Sequence, residues 1–187
     1  MKNTMKTIGL TAVVALTLTA CGGGGGSDTP DYTPHPYDAP PISAADKNAY
    51  LSAVNNARAT GRTCGALGFF PAVAPLSWND ENYKTAYEHT EDMSTTGNFS
   101  HQGSNTASDW TAQVQELGKG SYPDERGFNN GMTENAGENI AKGTTSASAV
   151  INAWLDSDTH CINIMDENWK KIGVSRVGSY WTQIFSI

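Results

Sequence analysis

Phe99-Ser100-His101, Gly137-Glu138-Asn139-Ile140-Ala141 and Asp156-Ser157-Asp158-Thr159-His160-Cys161-Ile162-Asn163-Ile164-Met165 decide how this chain is read. They carry two imidazoles and one carboxylate on segments far apart in sequence, so they share a site only where a fold gathers them. The Gly137 to Ala141 run is short, ends in apolar residues and predicts a strand. Downstream, 172–177 and 180–187 predict two strands flanking Gly178-Ser179, a hairpin signal whose glycine supplies a positive φ.

Upstream the pattern turns helical. Ser43 has the position of an N-cap with Asp46 in the first turn, Leu51, Val54 and Ala57 recur on one face, and Gly61 ends the helix. A second helix begins near Asn79 or Asp80, aligns Tyr83, Ala86, Thr90 and Met93, and stops at Gly97. Within it Glu88-His89-Thr90-Glu91-Asp92-Met93 reads as a solvated face, with Lys84 and Glu88 at ion-pair spacing and His89 as a structural histidine. Trp110, Val114 and Leu117 predict a short helix over 108–116, and 146–155 predicts a fourth that buries Ala149, Val150, Ala153 and Trp154. The stretch 118–133 is polar, glycine-rich and aperiodic, which predicts an exposed loop. Trp78, Trp154 and Trp181 are expected in the core, Trp110 and Trp169 partly exposed.

From about residue 49 to the C-terminus these pieces stand in the order found in one family. Leu51-x-x-Val54-Asn55-x-x-Arg58, Cys64-Gly65, Leu76-Ser77-Trp78-Asn79, His89-Thr90-Glu91-Asp92-Met93, the three segments quoted above, Val150-x-x-x-Trp154-Leu155-x-Ser157, Ile172-Gly173-Val174 and Tyr180-Trp181-Thr182-Gln183 together resemble the CAP superfamily. This comprises the cysteine-rich secretory, antigen 5 and pathogenesis-related 1 proteins, in the bacterial form called SCP-like. The resemblance implies an α+β domain, a three-layer α-β-α sandwich around a small antiparallel sheet.

The N-terminus bears on the compartment. Lys2 and Lys6 precede an apolar run over 8–18, too short to span a bilayer and shaped as a signal peptide. It closes on Leu18-Thr19-Ala20-Cys21, which resembles the lipobox of bacterial lipoproteins. The expectation is a lipoprotein signal peptide over 1–20, with Cys21 as the lipidated first residue of the mature chain and the membrane as its partner. The alternative is a soluble secreted protein with a spare thiol. Gly22 after the cysteine implies export to the outer membrane, periplasmic or surface-exposed. Residues 21–42 read as a Gly/Pro-rich tether in which His35 is solvated, leaving 43–187 as one CAP/SCP-like domain. Losing Lys2 and Lys6 takes the formal charge from −7 to −9, which argues against a nucleic-acid partner; a monomer is expected. With Cys21 assigned to lipid, Cys64 and Cys161 form a natural disulfide pair outside the cytoplasm, the alternative being a Cys/His metal set that uses Cys161.

Carried over residue by residue, the resemblance assigns the cleft to His101, Glu138 and His160. Eukaryotic-type members add a second glutamate where this chain has Ser157. Two neutral imidazoles and a carboxylate suit Zn²⁺ or another divalent cation, with an open fourth position. Without metal, the carboxylate orients an imidazole tautomer. Glu134 is the rival carboxylate. The family's arginine and Gly-Tyr pair before the GEN motif are replaced here by Trp110-Thr111-Ala112-Gln113 and Gly127-Phe128, so the resemblance assigns Arg126 no role. Two functions follow: a tethered module that binds a lipid, glycan or protein, or an extracytoplasmic metal-dependent hydrolase, peptidase or esterase. The latter would use a metal-bound water, or Ser157 activated by His160 with Glu138 as orienter.

Overall fold

The computed structural model describes residues 33–187. The expected signal peptide, Cys21 and the tether up to residue 32 lie outside the described residues. Helix α1, Ala44–Arg58, begins where the Ser43 hydroxyl accepts the Asp46 N–H, which satisfies an otherwise orphan donor. Strands β1, Arg62–Thr63, and β2, Phe69–Phe70, make a small antiparallel ladder. Strand β3, Ser77–Trp78, leads into α2, Asp80–Thr96, which Asn79 caps and Gly97 closes at φ 75°. Then follow α3, Trp110–Val114; α4, Pro123–Asn129; β4, Gly137–Lys142; α5, Ala147–Leu155; α6, Asp158–Met165; β5, Lys171–Val177; and β6, Tyr180–Ser186.

The main sheet has the order β3-β5-β6-β4. The hairpin β5-β6 and the pair β4-β6 are antiparallel as expected, whereas β3 adds a parallel edge against β5. Side chains alternate across the sheet with the period of two. Ile172, Val174, Trp181 and Phe185 meet Val54, Val150, Trp154, Cys161 and Ile164 from α1, α5 and α6 in the main core. On the other face Ile184 meets Ala86, and Tyr180 and Ile140 meet Met93, all against α2. Helices thus cover both faces, giving the three-layer α-β-α sandwich. Gly173 is where α2 presses closest, because a Cβ there would lie 2.1 Å from the Tyr83 backbone nitrogen.

Several readings change at this level. The Glu88 to Met93 face is not solvated: Glu88, His89, Thr90, Asp92 and Met93 are all buried, Met93 against Ile140 and Tyr180 of the sheet, and Glu88, His89 and Asp92 with hydrogen bonds to residues of the 100–130 region. Glu88 pairs with the Thr111 N–H and the Asn130 amide, at 2.7 Å each, rather than with Lys84. The 118–133 stretch holds helix α4, started by Pro123 and by the Glu125 carboxylate accepting the Tyr122 N–H at 2.8 Å. Seven residues are too few for periodicity to register. Helix α5 buries Val150, Ile151 and Trp154, while Ala149 and Ala153 are exposed. Trp154 and Trp181 are core residues, Trp78 only half-buried.

The Cys64–Cys161 disulfide joins residues 97 apart, so Cys161 is no metal ligand. It ties the segment after α1 to α6, close to His160. Buried Arg58 reinforces that junction, donating to the Ile164 carbonyl at 2.6 Å and the Asp166 carbonyl at 3.0 Å at the C-terminal end of α6. Residues 33–42, read as tether, lie against the domain: the His35 and Tyr37 N–H groups donate to Asn129 and Asn130, although the His35 side chain stays exposed. No helix among the described residues is long and apolar enough to cross a membrane.

Candidate functional site

Glu138 sits on the edge strand β4, on the face turned toward α2. Its carboxylate is 3% exposed and fully engaged. Oε1 accepts the His101 Nδ1–H at 2.8 Å and Oε2 accepts the Arg126 Nη2–H at 2.7 Å. Arg126, buried on α4, also donates to the His101 carbonyl at 3.1 Å and the Ser121 carbonyl at 2.6 Å. One guanidinium therefore fixes both the carboxylate and the backbone of the histidine that the carboxylate holds. Helix α2 adds His89, whose Nε2–H donates to the Ser100 carbonyl at 2.8 Å and stands 3.9 Å from Glu138 Oε1.

The electrostatics follow from burial and these partners. Burial raises the Glu138 carboxyl, but Arg126, His89 and the His101 hydrogen bond outweigh it and hold it at about 2. Burial, and then Arg126, push His89 down to about 4. The His89 ring is therefore neutral at pH 7, and Arg126 is the standing charge partner of Glu138 there. Because an ionised carboxylate only accepts, His101 Nδ1 carries the proton of this hydrogen bond.

His101, with its side chain 52% exposed, and His160 line one open hollow of about 500 Å³ together with Phe99, Gln102, Tyr122 and Ile140. His160 comes from α6. Burial, and then the neighbouring His101, lower its pKa, which keeps it neutral at pH 7. A buried asparagine aligns its helix with β4: the Asn139 amide donates to the His160 carbonyl at 3.2 Å and its Oδ1 accepts from Asn163 at 2.9 Å.

The three predicted residues are thus gathered, with roles redistributed. Glu138 serves His101 and not His160, so the relay Ser157, His160, Glu138 is not formed. Ser157 occupies the N-cap position of α6, makes no capping hydrogen bond and does not line the hollow. Glu134 is exposed and borders a separate hollow with Asn79 and Lys171. Glu138 does not fit as a ligand to a metal in the hollow, because its carboxylate is 3% exposed, is held inward by His101 and Arg126 and does not line that hollow. Among the described residues no group of three His, Cys, Asp or Glu is poised to hold a metal ion. Sequence reasoning missed Arg126 and Asn139. The signal for Asn139 was a polar residue inside a strand, which when buried must be hydrogen-bonded; for Arg126 it was the Pro123-Asp124-Glu125 helix start.

A helical sandwich around this sheet, with these residues at its edge, matches one family. The profile of the cysteine-rich secretory protein family, CAP, aligns with residues 51–185. The chain belongs to the CAP family. The Bacillus subtilis (strain 168) protein YkwD is 30% identical over 162 residues, covering 76% of this chain and 58% of YkwD. The B. subtilis membrane protein YlbC is 27% identical over 113 residues, covering 60% of this chain and 29% of YlbC. This CAP chain therefore spans 58% and 29% of the lengths of these curated relatives. Among solved structures, an SCP-domain extracellular protein of Bacillus anthracis superposes with TM-score 0.55 at 20% identity, covering 79% of this chain and 44% of its own. An outer surface protein of Borrelia burgdorferi gives TM-score 0.56 at 19% identity, over 82% and 97%. At those identities the CAP fold is what is shared.

Proposed function

We propose that this CAP domain is displayed outside the cytoplasm, anchored through Cys21, and that the His101/His160 hollow captures a ligand of mixed apolar and hydrogen-bonding character, a lipid or a glycan, with a protein surface as the third class. The compartment reading is supported by the Cys64–Cys161 bridge, which suits an oxidising environment, and by the likeness to an extracellular protein of B. anthracis and an outer surface protein of B. burgdorferi. One observation carries the site reading: His101 is held from behind by Glu138 and Arg126, and its half-exposed ring stands in the same hollow as a second imidazole, His160. Phe99 and Tyr122, 48% and 47% exposed, supply apolar surface around those nitrogens.

A second reading shares the same groups. A carboxylate-oriented imidazole is also a general base, able to take a proton from water or a hydroxyl in an ester or peptide hydrolase. The two separate on defined probes. Purified protein is offered phospholipid vesicles, an array of immobilised glycans, p-nitrophenyl esters and a casein-derived peptide mixture, in parallel with His101→Ala and His160→Ala. Binding without turnover, lost in both variants, is expected for the capture reading. Turnover lost in His101→Ala replaces it with the hydrolase, and neither binding nor turnover on any probe overturns both.

A further inference from the structure

Around α2 from the histidine hollow lies a second constructed surface. Residues 33–42 have no regular secondary structure and run across α2, α3 and α4. Prolines at 34, 36, 40 and 41 each fix φ near −65° and push the preceding residue into the extended region. The strap is thus pre-set toward polyproline II by its covalent structure.

Its backbone is read on both kinds of polar group. The His35 N–H donates to Asn129 Oδ1 at 2.8 Å, and the His35 carbonyl accepts from Asn129 Nδ2 at 2.9 Å and the Trp110 indole at 2.8 Å. The Tyr37 N–H donates to Asn130 Oδ1 at 2.7 Å. The Thr33 carbonyl accepts from Gln115 at 2.7 Å and the Pro40 carbonyl from the Tyr83 hydroxyl at 2.8 Å. The Tyr37 ring stacks on Tyr87 at 6.1 Å and meets Trp110 edge-on at 6.2 Å, while its hydroxyl donates to the Glu91 carboxylate.

The reading groups are set from beneath. Asn129 and Asn130 are 0% and 1% exposed. Asn130 Nδ2 donates to the buried Glu88 carboxylate at 2.7 Å, and Asn129 Nδ2 donates to the Thr111 hydroxyl at 3.0 Å. The same Asn130 Nδ2 also donates to the Arg126 carbonyl at 2.9 Å, and a carbonyl only accepts, so the amino end of Asn130 is held inward and its oxygen outward, as the Tyr37 N–H requires. This accounts for Glu88, a buried acid to which the histidine hollow gives no task.

We infer that the α2–α3–α4 face is a peptide-recognition groove for an extended, proline-punctuated segment bearing a tyrosine, occupied in cis by residues 33–41 and open to the same segment in trans. An aromatic shelf with an indole N–H donor to a backbone carbonyl is how polyproline II ligands are generally held. The amides read backbone and tolerate sequence; Glu91 selects the phenol.

The test uses the full chain and a synthetic peptide of residues 33–41, followed by NMR of the Trp110 indole and the Asn129 and Asn130 amides. In the wild type the linked strap acts at an effective concentration of roughly millimolar, so added peptide is expected to shift nothing. Tyr37→Ala is expected to release the strap and bind the peptide at least tenfold more tightly than the wild type. A peptide with Phe in place of Tyr should then bind roughly tenfold more weakly, the cost of a hydrogen bond to a charged acceptor. Pro34→Gly/Pro36→Gly leaves the groove wall untouched and should speed hydrogen exchange of the His35 and Tyr37 amides severalfold. If Tyr37→Ala does not fold, this variant carries the peptide titration. Random-coil exchange of those two amides in the wild type, or no indole shift with peptide in either variant, overturns the inference.

Discussion

Replacing Arg126 with methionine keeps most of the side chain's bulk and deletes the cation from beneath His101. In the structure Arg126 and the Glu138 side chain are 1% and 3% exposed and 2.7 Å apart. With the guanidinium gone, burial, which already pulls the Glu138 carboxyl upward, acts against only the His101 and His89 contacts. Breaking one side of such a buried pair costs about 3 to 5 kcal/mol, because the remaining charge keeps its desolvation penalty. The bonds to the Ser121 and His101 carbonyls go with it, so the upper half of that range is expected for R126M in urea unfolding at pH 7. The double variant R126M/E138Q removes both charges and should recover about 2 kcal/mol relative to the sum of the single costs. The R126M deficit should also shrink as pH falls through the raised Glu138 pKa of the variant, because the variant's fold takes a proton there and the wild type's does not. A cost under about 1 kcal/mol, or single costs that simply add, would refute the role given to this pair.

Three further outcomes are expected. His89 titrates at about 4 in the fold against 6.5 ordinarily, so its contribution is intact above pH 6.5 and is lost, to about 3 kcal/mol, as pH falls to 4. Glu138, held at about 2 against 4.5, loses its contribution between those values, while Glu88, raised by burial, acts with the opposite sign. Since Glu88 masks part of the slope, the measurement is the difference between wild type and His89→Gln in urea midpoints from pH 7 to 4, and identical slopes would refute the assignment. Reducing Cys64–Cys161, which closes 97 residues, should cost about 2 to 5 kcal/mol, read as a shift in denaturation midpoint with reductant. Gly173→Ala places a methyl 2.1 Å from the Tyr83 backbone and should destabilise by about 3 kcal/mol, with α2 lifted from β5; a wild-type midpoint would show that the helix can move.

Some of this was legible before any coordinates because its causes are local. Ser43, Asn79 and Ser146 cap helices through hydrogen bonds to residues three positions on, and Gly97 and Gly178 turn the chain at positive φ. Those signals act within one turn of backbone, so a reader of the sequence meets cause and effect together. Glu138, His101 and His160 were legible for a different reason, a motif order that matches one family. The same motifs misled on the role of Glu138, since they say which residues meet and not which atoms bond.

From sequence alone came the boundaries of α1, α2, α3 and α5 and of the β5-β6 hairpin to within a few residues, the pairing of Cys64 with Cys161, and the three residues His101, Glu138 and His160; α4 and α6 did not. Only the folded structure decided that the Glu88 to Asp92 face is interior, that Glu138 spends both oxygens on His101 and Arg126, and that residues 33–42 are bound down. Burial and ion pairing depend on what the rest of the chain brings to the far side of a helix. No window of neighbouring residues contains that information, because α4 reaches Glu138 through space, across a strand edge, and not along the chain.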